Sequence, residues 1–233
     1  LVHDMLEKCF RYAKSRDKVI AKMEKYDLFS LVDEAVNENM VSEKNSIFKE
    51  SNKSKYQLEK IVRMTKLTML VLSRQLAAGD FEPSFFEKSF GERDNLEALN
   101  IELKNNAKMY LRGKIDRVDT YVDEDKTLVK IIDYKTGNMK WELDMPFYGR
   151  ALQLVIYLDA VMEQLTKEGK EVLPAAFFYY HIDSPFLTRD EAKKENAFLS
   201  KLKPMGIVNT DFNIIKHLDK SIETSSDVIP VML

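Results

Sequence analysis

Cysteine is almost absent from this sequence of 233 residues, in which Cys9 is the only one. An internal disulfide is therefore impossible, and this chain alone cannot build a zinc site or an iron–sulfur cluster from cysteine ligands. We interpret Cys9 as a partly buried small residue. Apolar residues make up 45% of the chain and charged residues 32%, a balance that excludes a disordered or fibrous protein.

Long apolar runs are also missing. No run approaches the length of about 20 residues that spans a bilayer, and no charged-then-apolar signal segment opens the chain. We therefore expect a soluble, intracellular protein of the cytoplasm, with the length of one globular domain and an elaboration. Because Leu1 is not a start methionine, we expect the chain to be a fragment of a longer polypeptide.

An excess of positive charge is absent as well, since the net charge is −2 and the isoelectric point is near 6.1. A stand-alone DNA-binding protein usually shows a basic stripe or a high isoelectric point, so this balance counts mildly against one. It counts less against a nuclease, whose acidic cluster is offset by divalent metal, or against a module that receives its DNA from a larger assembly.

Helical periodicity dominates the N-terminal region of the sequence. Apolar spacing predicts one amphipathic helix from Leu1 to about Tyr26, further helix over residues 27–52 and a longer helix from Ser54 to Ala78. A glycine and an aspartate at positions 79 and 80 then end the helical pattern. We therefore predict a helical segment over residues 1–80.

Strand patterns begin at Phe81. They predict strands around Lys108–Val122 and Thr127–Lys135, joined as a hairpin by an acidic turn, then a helix over 148–164 and a buried strand over 175–182. This order predicts an α/β fold whose mixed central sheet is flanked by helices, with its core in residues 81–185. The extension 186–233, which begins with a predicted loop and a solvated helix, shows no recognisable chemistry.

Two acids and a lysine meet on the predicted hairpin. The spacing of 17 residues from Asp116 to Asp133 matches a strand, a turn and a returning strand, and period-2 alternation puts Asp133 and Lys135 on one face. Carboxylates bind Mg²⁺ or Mn²⁺, which supply a nucleophilic water and neutralise charge in phosphodiester hydrolysis. A lysine beside them can orient that water or neutralise transition-state charge. A D-x-K triplet alone much more often belongs to a surface hairpin that simply carries charges.

Three motifs together carry a family resemblance: GKIDRVD, IIDYKTG and LQLVIYLDA. This set resembles the PD-(D/E)XK nuclease superfamily in its RecB-like branch, and most closely the C-terminal nuclease domains of the AddB or RexB components of bacterial helicase-nucleases. The resemblance runs from Leu1 to about Asp183. It implies a restriction-endonuclease-like core.

The resemblance also implies roles for individual residues. The metal-binding acids of the family fall on Asp116 and Asp133, and its catalytic lysine falls on Lys135. The backbone carbonyl of Tyr134 is a further metal ligand in this scheme, and a histidine motif of the family matches LVHDMLEKCF, which makes His3 a metal ligand. The family's Q-x-x-x-Y element falls on two residues of the predicted helix, Gln153 and Tyr157, whose i, i+4 spacing puts them on one helix face.

Other polar residues carry open alternatives. Glu87 lies where related nucleases often have an extra acid, on the strand before the hairpin. Arg117 and Lys114 flank Asp116 and suit contacts with phosphates, but they suit balancing of the acidic turn equally well. The same two alternatives apply to Lys140 and Arg150.

The match to the family breaks at cysteine. Many AddB nuclease domains hold an iron–sulfur cluster with one upstream cysteine and three near the C-terminus, whereas no cysteine follows Cys9 here. We expect a truncated chain, with a cluster allowed in the parent protein but not ligated within these residues. We also expect a less firmly held tail beyond Lys203 if the cluster normally joins the two ends of the domain.

The resemblance implies a Mg²⁺- or Mn²⁺-dependent deoxyribonuclease, most simply an exonuclease, within a helicase-nuclease that processes double-strand breaks for recombinational repair. Its implied partners are DNA, as a single strand or a duplex end, and an AddA- or RexA-like helicase-nuclease component, with no membrane. Two alternatives stay open: an inactive DNA-guiding or partner-binding domain, and a CRISPR-associated RecB-like single-strand exonuclease.

Overall fold

The sequence forms helices first and strands afterwards, in a computed structural model that describes residues 1–41, 51–90, 99–102, 108–136, 152–183, 185, 188–190 and 197–233. It divides into a helical unit, residues 1–78 with 181–203, and a sheet unit, residues 79–180 with 204–233. In chain order the elements are α1 (Val2–Ser15), α2 (Lys25–Val41), α3 (Asn52–Ala78), β1 (Glu82–Phe90), β2 (Leu99–Glu102), β3 (Lys108–Leu111), β4 (Gly113–Asp123), β5 (Lys126–Lys135), α4 (Leu152–Lys167), β6 (Glu171–His181), α5 (Ala197–Lys201), β7 (Met205–Val208) and α6 (Phe212–Leu218).

The helical unit buries the apolar faces of its first three helices against one another. Its core includes Met5, Leu6, Cys9, Phe10, Leu28, Val32, Met69 and Leu72. Cys9 is fully buried, and burial raises the pKa of its thiol to about 12. The predicted helix Ser54–Ala78 is confirmed as part of α3. Within the part of the chain that the structure describes, every helix is too short or too polar to cross a membrane.

The prediction of one helix from Leu1 to Tyr26 is wrong, because α1 ends at Ser15 and a short 3₁₀ turn precedes α2. The terminating residue is Asp17, whose φ of 52° lies in the left-handed region. The backbone N–H groups of Asp17 and Lys18 donate to the carbonyls of Lys14 and Ala13, the hydrogen-bond pattern of a Schellman motif. Glycine usually fills this position, and aspartate is one of the few other residues that adopt it.

The sheet unit contains a five-stranded sheet in the order β1-β4-β5-β6-β7, and β2 pairs with β3 separately. The pairs β1–β4, β4–β5 and β6–β7 are antiparallel. The chain passes through α4 between the neighbouring strands β5 and β6, a crossover of the kind that parallel neighbours require. The predicted α/β fold with a mixed sheet is confirmed, and β4 and β5 form the predicted hairpin. The prediction of one strand over Lys108–Val122 is wrong, because this range divides into β3 and β4, which belong to different sheets.

Helix α4 packs its apolar face on the hairpin. Leu154, Tyr157, Val161 and Leu165 recur at helical spacing and are buried with Val118, Val129 and Ile131 of β4 and β5. This packing fixes the register of α4 against the strands and brings its first turn beside the end of β5.

The tail beyond Lys203 contains structure that the sequence analysis did not predict. Strand β7 extends the sheet by pairing with β6, and Gly206 permits this because an added Cβ would lie 2.1 Å from the carbonyl oxygen of Phe177. Asp211 caps the N-terminus of helix α6, because its side chain accepts a hydrogen bond from the N–H of Asn213.

Candidate active site

The hairpin of β4 and β5 opens at the end opposite its turn. Backbone pairing runs from Asp123–Lys126 to Arg117–Ile132. Beyond that last pair, the side chain of Asp116 contacts β5. Its Oδ2 accepts a hydrogen bond from the backbone N–H of Tyr134 at 2.7 Å. The carboxylate of Asp116 therefore lies against the peptide that joins Asp133 to Tyr134.

Asp133 and Lys135 share one face of β5, as the period-2 alternation predicts. The Nζ of Lys135 lies 2.5 Å from Oδ2 of Asp133, and the Asp133 side chain is only 4% exposed whereas that of Lys135 is 33% exposed. The ammonium also lies 5.3 Å from the ring centroid of Tyr179 on β6. Burial, followed by the negative charge of Asp133, raises the pKa of Tyr179 to about 12.

Helix α4 adds an amide to this pair. The Nε2 of Gln153 donates to Oδ1 of Asp133 at 3.3 Å and to the hydroxyl of Tyr157 at 2.7 Å. Its Oε1 accepts from the Nζ of Lys135 at 3.5 Å. Tyr157 is itself buried, with its ring in edge contact with that of Phe90 at 5.6 Å. One side-chain amide thus connects the acid, the lysine and a fixed phenol.

Glu87 lies on β1 opposite Asp116, because the neighbouring register pairs are Phe86–Arg117 and Lys88–Ile115. Its φ of 50° lies in the left-handed region, which is unusual for a residue of this type within a strand. Its carboxylate forms an ion pair with Lys114. Strained backbone of this kind is often found at functional sites.

Comparison with known proteins identifies the family. The family model of the PD-(D/E)XK nuclease superfamily matches residues 1–224. The chain belongs to this superfamily. The resemblance noted in the sequence motifs is thereby confirmed, and the sheet described above is the restriction-endonuclease-like core expected for a PD-(D/E)XK domain.

Several curated relatives share one name, that of the B-type subunit of an ATP-dependent helicase/deoxyribonuclease. The protein of this name from Clostridium tetani is 36% identical over 99% of this chain, and the one from Thermoanaerobacter sp. is 33% identical over 100% of it. The corresponding protein of Alkaliphilus oremlandii is 37% identical over 87% of the chain. The chain spans about a fifth of the length of these relatives.

The structure of this PD-(D/E)XK domain brings together most of the residues that the sequence singled out. Asp116, Asp133, Lys135, Gln153 and Tyr157 are linked by the contacts given above. The side chain of Tyr134 points to the opposite face of the sheet, as the alternation predicts, and its backbone lies between the two acids in the contact network. His3 lies on α1 in the helical unit. The roles of all these residues stay predictions. Lys140 and Arg150 lie outside the described residues.

Neither role predicted for Arg117, a phosphate contact or balancing of the acidic turn, agrees with its placement in this PD-(D/E)XK domain. Its side chain is buried and binds Asp119 through two hydrogen bonds of 2.6 Å. Asp119 also forms an ion pair of 2.9 Å with Lys130, directly opposite on β5. Burial opposes ionisation of Asp119, but the two cations outweigh it and lower the pKa of Asp119 below its ordinary value.

The acids of this PD-(D/E)XK domain fit a divalent cation. Mg²⁺ and Mn²⁺ prefer carboxylate oxygens, and the side chains of Asp116 and Asp133 offer them at the open end of one hairpin. Carboxylates that bind metal are usually oriented by a hydrogen bond from another group, and the amide of Gln153 donates one to Asp133.

Proposed function

We propose that the chain is the nuclease domain of an AddB- or RexB-like helicase-nuclease component and hydrolyses DNA phosphodiester bonds with Mg²⁺ or Mn²⁺. The observation that carries the proposal is the linked set of Asp116, Asp133, Lys135 and Gln153 at the open end of the hairpin. Family membership and the names of the relatives support it. In this proposal the parent protein acts with an AddA- or RexA-like partner on broken DNA ends, and exonuclease action is the simplest form of the activity.

The metal would be held by Asp116 and Asp133, with His3 and the carbonyl of Tyr134 as further ligands. A divalent cation bound there would supply a nucleophilic water and neutralise charge on the phosphate. The remaining work falls to side chains of the domain. Lys135 places a positive charge beside the acids, where it stabilises negative charge on the phosphate oxygens in the transition state.

Gln153 and Tyr157 position these groups. The amide of Gln153 holds one oxygen of Asp133 by its N–H and contacts Lys135 by its carbonyl, so it fixes the acid and the lysine relative to each other. The hydroxyl of Tyr157 holds the amide in that orientation. Such preorganisation lowers the cost of rearranging charges during the reaction.

The proposal is tested by cleavage of end-labelled single-stranded DNA in Mg²⁺ with Asp116→Ala and Lys135→Ala. We expect each variant to lose activity by about a hundredfold or more while its circular dichroism spectrum is unchanged. Asp123→Ala is the matched control, because it removes a half-exposed acid from the turn end of the same strand, and it should cleave normally. Calorimetry should show that Mn²⁺ binding is lost in Asp116→Ala. Retained cleavage in both active-site variants would refute the proposal.

A further inference from the structure

Tyr134, at the open end of the hairpin, forms hydrogen bonds with β4 on both faces of the sheet. On the face of the candidate site its backbone N–H donates to Asp116 at 2.7 Å. On the opposite face its hydroxyl accepts a hydrogen bond from Nη1 of Arg117 at 3.2 Å. Asp116 and Arg117 are neighbours on β4, so two consecutive residues of β4 form hydrogen bonds with a single residue of β5, Tyr134.

These contacts lie beyond the last pair in the backbone register of the two strands. The register of β4 with β5 ends at the pair Arg117–Ile132, although β5 continues to Lys135. Tyr134 is the diagonal neighbour of Arg117 across the strands, which is within reach of long side chains. Side-chain contacts therefore join the strands beyond the last pair of the register.

On the face of the sheet opposite the candidate site, contacts with other side chains fix the position of Arg117. Asp119 holds its guanidinium by two hydrogen bonds of 2.6 Å, and Lys130 holds Asp119 at 2.9 Å. Arg117 and Asp119 are at most 1% exposed, and the Tyr134 ring is in edge contact with that of Tyr180 at 6.0 Å. Burial makes each of these contacts costly to break, because a polar group left unpaired inside the protein loses its solvation as well.

We infer that the hydrogen bond between Arg117 and the Tyr134 hydroxyl, here called the clasp, holds β4 and β5 together at the end of the hairpin opposite its turn. The clasp thereby positions Asp116 and Asp133 to bind metal. Arg117 and Tyr134 are positioning residues in this account, since neither side chain faces the site. The clasp itself rests on the contacts above, whereas its effect on metal binding rests on the proposed function.

The test uses Tyr134→Phe, which removes the hydroxyl and keeps both the ring and the backbone groups. Tyr180→Phe is the matched control: its phenol is buried in the same layer, and within the described residues its hydroxyl has no hydrogen-bond partner. Amide hydrogen exchange is measured residue by residue by NMR on the intact chain without metal. We expect the Tyr134 amide to exchange about tenfold faster in Tyr134→Phe than in wild type, with Thr120 and Val129 in the paired part of the hairpin unchanged.

Binding of Mn²⁺, followed by the electron paramagnetic resonance signal of the free ion, tests the consequence. We expect Tyr134→Phe to weaken binding by about tenfold and Tyr180→Phe to leave it unchanged. Equal exchange in the two variants, or uniform acceleration along the whole hairpin, would overturn the clasp. Faster exchange at Tyr134 with unchanged Mn²⁺ affinity would overturn its positioning role. If wild type itself binds no Mn²⁺, the proposed function and the positioning role both fail, and the exchange data still decide whether the clasp exists.

Discussion

The ammonium of Lys135 lies 2.5 Å from the carboxylate of Asp133, two residues earlier on the same strand. Asp133 is almost fully buried, so without a nearby cation its negative charge would be costly. Lys135 therefore stabilises the metal-free fold in addition to any part in the reaction. The contribution of Lys135 to the stability of the fold can therefore be measured without metal, separately from any contribution to DNA cleavage.

We expect Lys135→Met to lower the free energy of unfolding by about 1–2 kcal/mol in the presence of EDTA, because the variant keeps the aliphatic stem but removes the charge beside Asp133. Lys167→Met is the matched control. Lys167 pairs with Glu163 on the exposed side of α4 with both side chains nearly half exposed, and such pairs contribute at most about 0.5 kcal/mol.

Mg²⁺ should then stabilise Lys135→Met more than wild type, since a cation bound to the acids takes over the neutralising role of the ammonium. Urea unfolding with and without Mg²⁺ measures both effects. An equal gain from Mg²⁺ in wild type and variant would show that the lysine and the metal do not act on the same carboxylate.

Gln153 and Tyr157 should act as one unit in catalysis. The hydroxyl of Tyr157 accepts from the amide that also contacts Asp133, and the Tyr157 ring is held by Phe90. We expect Tyr157→Phe to keep the fold and to reduce the rate of DNA cleavage by about tenfold, because the amide of Gln153 loses its anchor. Gln153→Ala should reduce the rate at least as much.

A double-mutant cycle checks this coupling. The double variant should be little worse than Gln153→Ala alone, with a coupling free energy of about 1 kcal/mol or more in the cleavage rate. Effects that simply add would mean that Tyr157 acts independently of Gln153, by contacting the substrate or by packing.

The proximity of most residues in the candidate site was predictable, because they belong to elements that are local in sequence. Asp116, Asp133 and Lys135 belong to one hairpin, and alternation along a strand fixes which side chains share a face. Gln153 and Tyr157 are one helical turn apart, so their proximity to each other also follows from the sequence. Their contact with Asp133 does not, since it depends on how α4 packs on the sheet.

The misjudged residues are those whose environment depends on a partner. The sequence suggested that the side chain of Arg117 is exposed, because an arginine is rarely fully buried. Asp119, two positions later on the same strand face, provides the partner that permits burial, and Lys130 lies directly across the ladder. The alternation of Arg117 with Asp119 and the hairpin register were the signals that would have located this buried network. The break at Asp17 gave no such signal, because aspartate adopts the left-handed conformation far less often than glycine.

Acid should weaken the sheet unit through Asp80. Partial burial opposes its ionisation, but hydrogen bonds from Lys220 at 2.8 Å and between Asp80 and His217 at 2.9 Å hold the pKa of Asp80 below its usual 3.8. A carboxyl group whose pKa is lower in the folded than in the unfolded state stabilises the fold fully above the unfolded value. That contribution should decline as the pH falls below about 3.8 and vanish once the pH has passed the folded pKa.

Unfolding by urea between pH 2 and pH 7 measures this contribution. We expect Asp80→Asn to be less stable than wild type at pH 7 and the two curves to converge at low pH, since protonated aspartic acid and asparagine are both uncharged. Asp227→Asn provides the comparison, because it replaces an exposed carboxyl elsewhere in the sheet unit, and its curve should run parallel to that of wild type. If the difference between Asp80→Asn and wild type stays constant down to pH 2, the ion pairs of Asp80 do not contribute to folding.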